Sequence, residues 1–275
     1  MLGELKNGPL QPTQFKDYVR TKRNEDGWSS GSDVSNMLFH MHMSGEVMVT
    51  GRQGNQNIWG LSEQFLPGWV VRKELSEEEF EREAAQRAIR GLGTAVLREA
   101  RYYFPPGRYQ NLKLTLTRLE EEGVIHPVSV DGLGGKDKRY VHDRDLSLLE
   151  SVSAGDWEPR MSLLPPFDNM LRQHSQVFGF DYVREQFLPK EKRRFGTYVL
   201  PILWGERFIG RIDPKLDKQK GRLVINSVHA EPGAPRDRAA ATEIRETIER
   251  FAAYLGAREV TYTQQVPSAW RSSLR

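Results

Sequence analysis

Leu163-Leu164-Pro165-Pro166-Phe167-Asp168-Asn169-Met170-Leu171 opens the stretch that decides the fold, which runs on to Val228. Its Pro-Pro entry is stiff. After Lys190-Glu191-Lys192-Arg193-Arg194, three segments read as strands: Gly196 to Leu203, Phe208 to Ile212 and Arg222 to Val228. They are rich in Val, Ile, Tyr and Phe, which suit a pleated, half-buried surface. Trp204-Gly205-Glu206-Arg207 joins the first two with Gly at the first central position, as a type II′ hairpin prefers. From Gln186 to Arg222, ten Lys and Arg stand against four acids, a local net of +6. The whole chain is only +3, so everything outside that window sums to −3. The positive charge is placed rather than spread.

This stretch also carries a resemblance. The strings LPPFDNML (164–171), FGFDYVREQFLPKEKRRFGTYVLPILWGERFIGRIDPKLDK (178–218) and GRLVI (221–225) resemble the C-terminal half of the YcaQ/AlkZ-type DNA glycosylases. Those are winged-helix proteins that excise alkylated purines and unhook interstrand crosslinks. The resemblance implies a small β-barrel-like C-terminal domain, where spacing alone supports only a meander.

Composition sets the bounds. The 275 residues suffice for one large or two to three small domains, and 38% hydrophobic with 10% aromatic residues fits a folded globular chain. No window approaches the ~18–20 continuous apolar residues of a membrane span, and Met1 to Pro9 lacks the pattern of a signal peptide. The chain has no cysteine, which excludes disulfides and thiolate chemistry and fits a reducing cytoplasm. A pI near 9.0 permits a nucleic-acid partner, but +3 alone does not argue for one.

Upstream of the strands, a helical pattern occurs twice. A short opening helix ends at Gly8-Pro9, and Pro12 to Tyr18 starts a second. Ser32 is placed to cap a helix over Asp33 to Met43, with Val34, Met37, Leu38 and Met41 as its apolar stripe. Glu46 to Thr50 and Asn57 to Leu61 pair as a ribbon with Gly51 to Gln56 at its tip. Ser76-Glu77-Glu78-Glu79 is a capping box for a helix to about Arg90, stopping at Gly91. Thr94 to Tyr103 and Asn111 to Glu122 follow as helices, then a ribbon of Val124 to Val130 and Arg139 to His142. Asp143 to Leu149 is a short helix, Asp237 to Leu255 an amphipathic one over a sheet, and Glu259 to Thr263 a last strand, with a polar, fraying tail after Pro267. The expected fold is α+β: tandem winged-helix domains over 1–70 and 71–158, then a β-barrel-like domain with a C-terminal helix over 159–275.

The ribbon tips are the first candidates for DNA contact. The amides of Gln53, Asn55 and Gln56 match base-edge donors and acceptors, and Arg52 reaches phosphate or a narrow minor groove; the alternative is an ordinary polar turn. The resemblance favours contact, because the family has a hairpin near DNA there. Lys136, Lys138 and Arg139 at the second tip suit phosphate. Lys190, Lys192, Arg193 and Arg194 either track a phosphate backbone or keep a strand edge soluble. Asp168 and Asp213 tempt as catalysts, but a helix cap for Asp168 and a pair with Arg211 or Lys215 for Asp213 are the favoured readings. His40 and His42, two apart on a helix, make a poor metal pair, and no metal or cofactor site is expected.

The resemblance implies a catalytic Gln-x-Asp or Gln-x-Gln in an N-terminal winged helix ahead of the segment that Met1 to Asn7 resembles. Such a pair positions or activates water against an alkylated base, whose positive charge makes it a good leaving group. No Gln in the sequence is followed two residues later by Asp or Gln, so no catalytic residue is assigned. The resemblance spans almost all of this chain but only about the last two-thirds of the family. The expectation is a double-stranded-DNA-binding, glycosylase-like protein of the cytoplasmic nucleoid, without metal or membrane partners. The alternatives are an active glycosylase whose catalytic part is supplied elsewhere and a winged-helix transcriptional regulator.

Overall fold

Local sequence signals set the first helices. The structure, a computed structural model, describes residues 1–16, 18, 32–70, 73–104, 109–131, 133, 137–173 and 177–274. It divides into two units, Met1–Glu74 and Leu75–Arg275. In the first, α1 (Leu2–Leu5) is followed by a single 3-10 turn, Pro12–Gln14, rather than the helix expected to Tyr18. Phe15 is already extended (φ −73°, ψ 142°) and buries its ring in the core. The next helix, α2 (Asp33–Met43), starts where Ser32 Oγ accepts from the Ser35 amide at 3.1 Å. Val34, Leu38 and Met41 are buried, but Met37 is 51% exposed, so it leaves the expected stripe.

The ribbon of this unit is longer than its sequence suggested. β1 (Val47–Gln53) and β2 (Gln56–Leu61) pair antiparallel to Gln53 opposite Gln56, so the tip is the two-residue turn Gly54-Asn55. Thr50 is the extra residue of a bulge. Leu10 adds a one-residue third strand, exchanging backbone hydrogen bonds with Trp59 at 2.9 and 2.8 Å. The unit closes with α3 (Ser62–Phe65).

The second unit begins with the same order of elements. α4 (Glu77–Leu92) starts at the reciprocal Ser76/Glu79 box and runs through Gly91 to end at Gly93. A two-residue strand follows, β3 (Ala95–Val96), then α5 (Leu97–Tyr103) and α6 (Leu112–Glu121). The buried Glu81 carboxylate accepts from the Asn111 amide at 2.8 Å, tying α4 to the start of α6. Leu112, Leu116 and Leu119 point inward as their spacing requires. β4 (Ile125–Val128) and β5 (Arg139–His142) form the ribbon, and β3 pairs with β5 as Leu10 pairs with β2. A 3-10 turn over Asp143–Asp145 leads into α7 (Leu146–Ser153).

The remaining elements build one sheet. They are β6 (Met161–Leu163), α8 (Asn169–Gln173), β7 (Leu200–Trp204), β8 (Arg207–Asp217), β9 (Arg222–Ala230), α9 (Arg238–Tyr254), β10 (Glu259–Gln265) and α10 (Arg271–Leu274). The order is β10-β9-β8-β7-β6, antiparallel except for β10 with β9. The expected barrel-like closure does not occur, because β6 and β10 are opposite edges. Instead α9 covers one face: Ile244 and Ile248 pack with Ile202, Ile212 and Ile225, so the sheet buries its apolar side under a helix rather than by curling upon itself.

Two chain-specific devices shape that sheet. Gly205 has φ 58° while no non-glycine residue among the described ones has positive φ, which fits the II′ hairpin between β7 and β8 and excludes I′. Pro214, which lacks a ladder donor, sits where β8 and β9 slip register beside Asn226. The tail does not fray: Trp270 is fully buried, and its indole N–H donates to the Pro235 carbonyl at 2.8 Å.

Candidate nucleic-acid interface

The first ribbon presents its polar residues to solvent. Arg52, Gln53, Asn55 and Gln56 are all exposed. Strand alternation puts Arg52 with Asn57 on one face and Gln53 with Gln56 on the other. On the latter face Gln53 Oε1 accepts from Gln11 Nε2. Arg52 has no ionic partner among the described residues.

The second ribbon spends its cations internally. Arg139 is 8% exposed, and its guanidinium grips the Glu99 carboxylate at 2.9 and 3.1 Å, with a third hydrogen bond to Thr94 Oγ1 at 3.1 Å. Glu99 also accepts from the Val96 amide at 3.0 Å, so one buried pair joins β3, α5 and β5. Such a guanidinium is not available to phosphate, against the sequence expectation. Lys138 is exposed but donates to both oxygens of Glu120, at 2.8 and 3.1 Å. That hydrogen bond, aided by one from Tyr140, holds the Glu120 carboxyl below the usual range. Lys136 lies outside the described residues.

The basic run lies on a loop tied down from beneath by two carboxylates. Buried Glu185 accepts from the Phe195 and Gly196 amides at 2.8 and 3.0 Å. Buried Asp213 accepts from the Thr197 and Tyr198 amides at 3.1 and 2.9 Å, and from the Asn226 side chain at 3.2 Å. Together the two carboxylates bind four consecutive amides, and holding the last two of them, rather than a pair with Arg211 or Lys215, is the role of Asp213. Gly196 has no substitute here, since a Cβ would fall 2.3 Å from the Asp213 carboxyl carbon. Phe195 is held against the Arg211 guanidinium, 4.2 Å from its centroid, which also lies 4.3 Å from the Phe180 ring. Arg211 in turn pairs with Glu231. His229 packs edge-on to Phe195, and burial together with Arg211 lowers its pKa.

On that platform the four cations divide. Lys190, Lys192 and Arg194 are exposed, and Arg194 rests 4.8 Å over the Phe195 ring. Arg193 turns inward, donating to the Leu188 carbonyl at 3.0 Å and the Thr197 hydroxyl at 3.1 Å, and so braces the loop. Lys190, Arg193 and Arg194 line one open depression with Asn226 and Thr263. Asp168 accepts from the Met170 amide at 2.9 Å, a turn-closing role at the start of α8. Neither Asp168 nor Asp213 is arranged as an acid or base.

Sequence reasoning missed the carboxylates Glu99 and Glu185 and the pair Phe167 and Phe187 beside Arg184. The partners that decide the first two, Arg139 for Glu99 and the Phe195 and Gly196 amides for Glu185, lie ten or more residues away, beyond any local pattern. The interleaved aromatics and cations of residues 182–194 were the signal for the third. Among the described residues no three His, Asp or Glu come together as metal ligands, and no helix is long and apolar enough to cross a membrane.

Exposed cations on a loop braced from beneath are suited to an anionic polymer, on a mixed α+β scaffold of the DNA-repair glycosylase type. The chain belongs to the AlkZ-like family: the model for "DNA glycosylase AlkZ-like" matches residues 1–254. Among solved structures it is similar to Streptomyces sahachiroi DNA glycosylase AlkZ, with a TM-score of 0.59 and 18% identity over 95% of this chain and 67% of that one.

Proposed function

We propose that these 275 residues grip duplex DNA as a repair glycosylase does and do not by themselves excise a base. The observation that carries the grip is the trio Lys190, Lys192 and Arg194, exposed and without a carboxylate partner among the described residues, on a loop whose amides are fixed by Glu185 and Asp213. Each phosphate that such cations neutralise releases counterions. The absence of Gln-x-Asp and Gln-x-Gln from the 275 residues supports the lack of excision.

The scaffold is read as two winged helices, over 1–70 and 71–158, and a sheet domain over 159–275. What supports this is the repeated order of helix, short strand, helix, helix and ribbon, with the short strand pairing to the ribbon's second strand each time. Within the first winged helix the ribbon, rather than the helix, is the DNA-facing element. α2 contains no Lys or Arg and exposes Met37, Phe39 and Met43, whereas the ribbon tip offers Arg52, Asn55 and Gln56. Arg193 and Arg139 are supports of the fold. Chromosomal DNA as the ligand places the protein in the cytoplasm, at the nucleoid.

Replacing Lys190, Lys192 and Arg194 together by Gln tests the grip. If each meets one phosphate, the slope of log affinity against log salt for a blunt duplex becomes shallower by roughly 2.7; an unchanged slope and affinity defeats the basic-loop grip. For excision, incubation with duplex containing N7-alkylguanine gives no base release above background. Release abolished by a single substitution within the chain overturns that half of the reading.

A further inference from the structure

Two aromatic rings stand on the surface of the second unit instead of in its core. Phe167 is 57% exposed and Phe187 60%, yet they meet edge to face, centroids 6.2 Å apart and planes at 73°. The Arg184 guanidinium lies 5.4 Å from the first centroid and 6.0 Å from the second, and has no carboxylate partner among the described residues. Both rings ride on fixed backbone. Phe167 sits in a turn closed by the Asp168 amide on the Pro165 carbonyl at 3.0 Å. Phe187 ends the 3-10 turn Glu185–Phe187, whose first residue is the buried carboxylate under the basic loop.

The surroundings indicate what such rings would hold. Exposed rings alone suit an apolar partner, but here an uncompensated guanidinium covers both. The same segment continues to Lys190 and Lys192, exposed and three and five residues beyond Phe187; Lys190 is thus within ~11 Å of it along the backbone. Flat π-faces beside free cations complement a ligand that alternates bases with phosphates. A paired duplex keeps its base faces inside its own stack, so only unpaired bases can lie on such rings. The geometry points to a stacking site for unpaired nucleobases formed by Phe167, Phe187 and Arg184, with Lys190 and Lys192 on the adjoining phosphates. It rests on the DNA-binding reading and adds a single-stranded segment to it, such as a gap, a tail or a frayed lesion.

The test uses the full chain and two labelled probes, a blunt duplex and the same duplex with a single-stranded tail carrying 2-aminopurine. The wild-type protein binds the tailed probe more tightly and quenches the 2-aminopurine. Phe167→Ala with Phe187→Ala lowers affinity for the tailed probe roughly tenfold, the scale of stacking on one or more bases, relieves the quenching, and leaves blunt-duplex affinity unchanged. Phe187→Leu, which keeps apolar bulk, relieves the quenching equally and guards against a folding defect. Equal affinity of wild type for both probes, absence of quenching, or parallel losses on both probes in the variants each overturn the stacking site while leaving duplex binding standing. If wild type binds neither probe, the DNA reading falls and takes this one with it.

Discussion

The two ribbons share a topology and differ in what becomes of their charge. In the first, Arg52 is exposed and free of ionic partners among the described residues, above a two-residue turn. In the second, Arg139 is consumed by Glu99 and Lys138 by Glu120. Counting cations along the chain ranks the second tip higher; counting those left unpaired among the described residues reverses the order. A basic residue is a contact for phosphate only when the fold has not already given it a carboxylate, and the same fold can spend one ribbon on cohesion and leave the other for a ligand.

That contrast makes graded predictions. The largest effect is on stability: Glu99→Ala strands the Arg139 guanidinium in a buried site and lowers the unfolding free energy by about 3–5 kcal/mol, read by urea denaturation. A variant of full stability but weakened DNA binding reverses the assignment of this pair. A smaller effect separates the exposed cations. Arg52→Ala makes the salt slope of duplex binding shallower by about one with unchanged melting temperature, whereas Lys138→Ala leaves the slope alone; equal changes in both erase the distinction.

The smallest concerns pH. His142, at the end of β5, accepts from the Arg144 amide at Nδ1 and donates from Nε2 to Gln86. Burial first, then Arg90, lowers its pKa from 6.5. The unfolded chain therefore takes up this proton first as pH falls, so the contribution to stability is complete above 6.5 and is lost below it. Unfolding curves between pH 7.5 and 5, on the order of two units about that midpoint, show a decline that His142→Gln reduces. A variant as pH-sensitive as wild type removes His142 as the cause.

Legibility in the sequence followed range. Ser32 and Ser76 cap where their local patterns placed them, because a cap is decided within four residues. The Gly205 turn and the inward leucines of α6 were equally readable. Strand extents were not: β8 runs to Asp217, through Pro214, because a register slip accommodates the missing donor. Closure of the sheet was misjudged because whether a sheet curls or lies under a helix depends on long-range packing. Of the candidate site, the basic loop was visible as composition. Its division into three offered cations and one brace was invisible, since the Leu188 carbonyl and Thr197 hydroxyl hold Arg193 through geometry alone.

Trp270 carries a consequence for how the second unit comes into being. Its ring fills the middle of the sheet's core, pressed on Gly210, where even a Cβ would come within 3.0 Å of it. Strands made much earlier on the ribosome must therefore wait, incompletely sealed, until this late residue emerges to stopper them. Synthesis order thus makes the first unit free to mature during translation, while the sheet behind the basic loop can be finished only once Trp270 itself has been made.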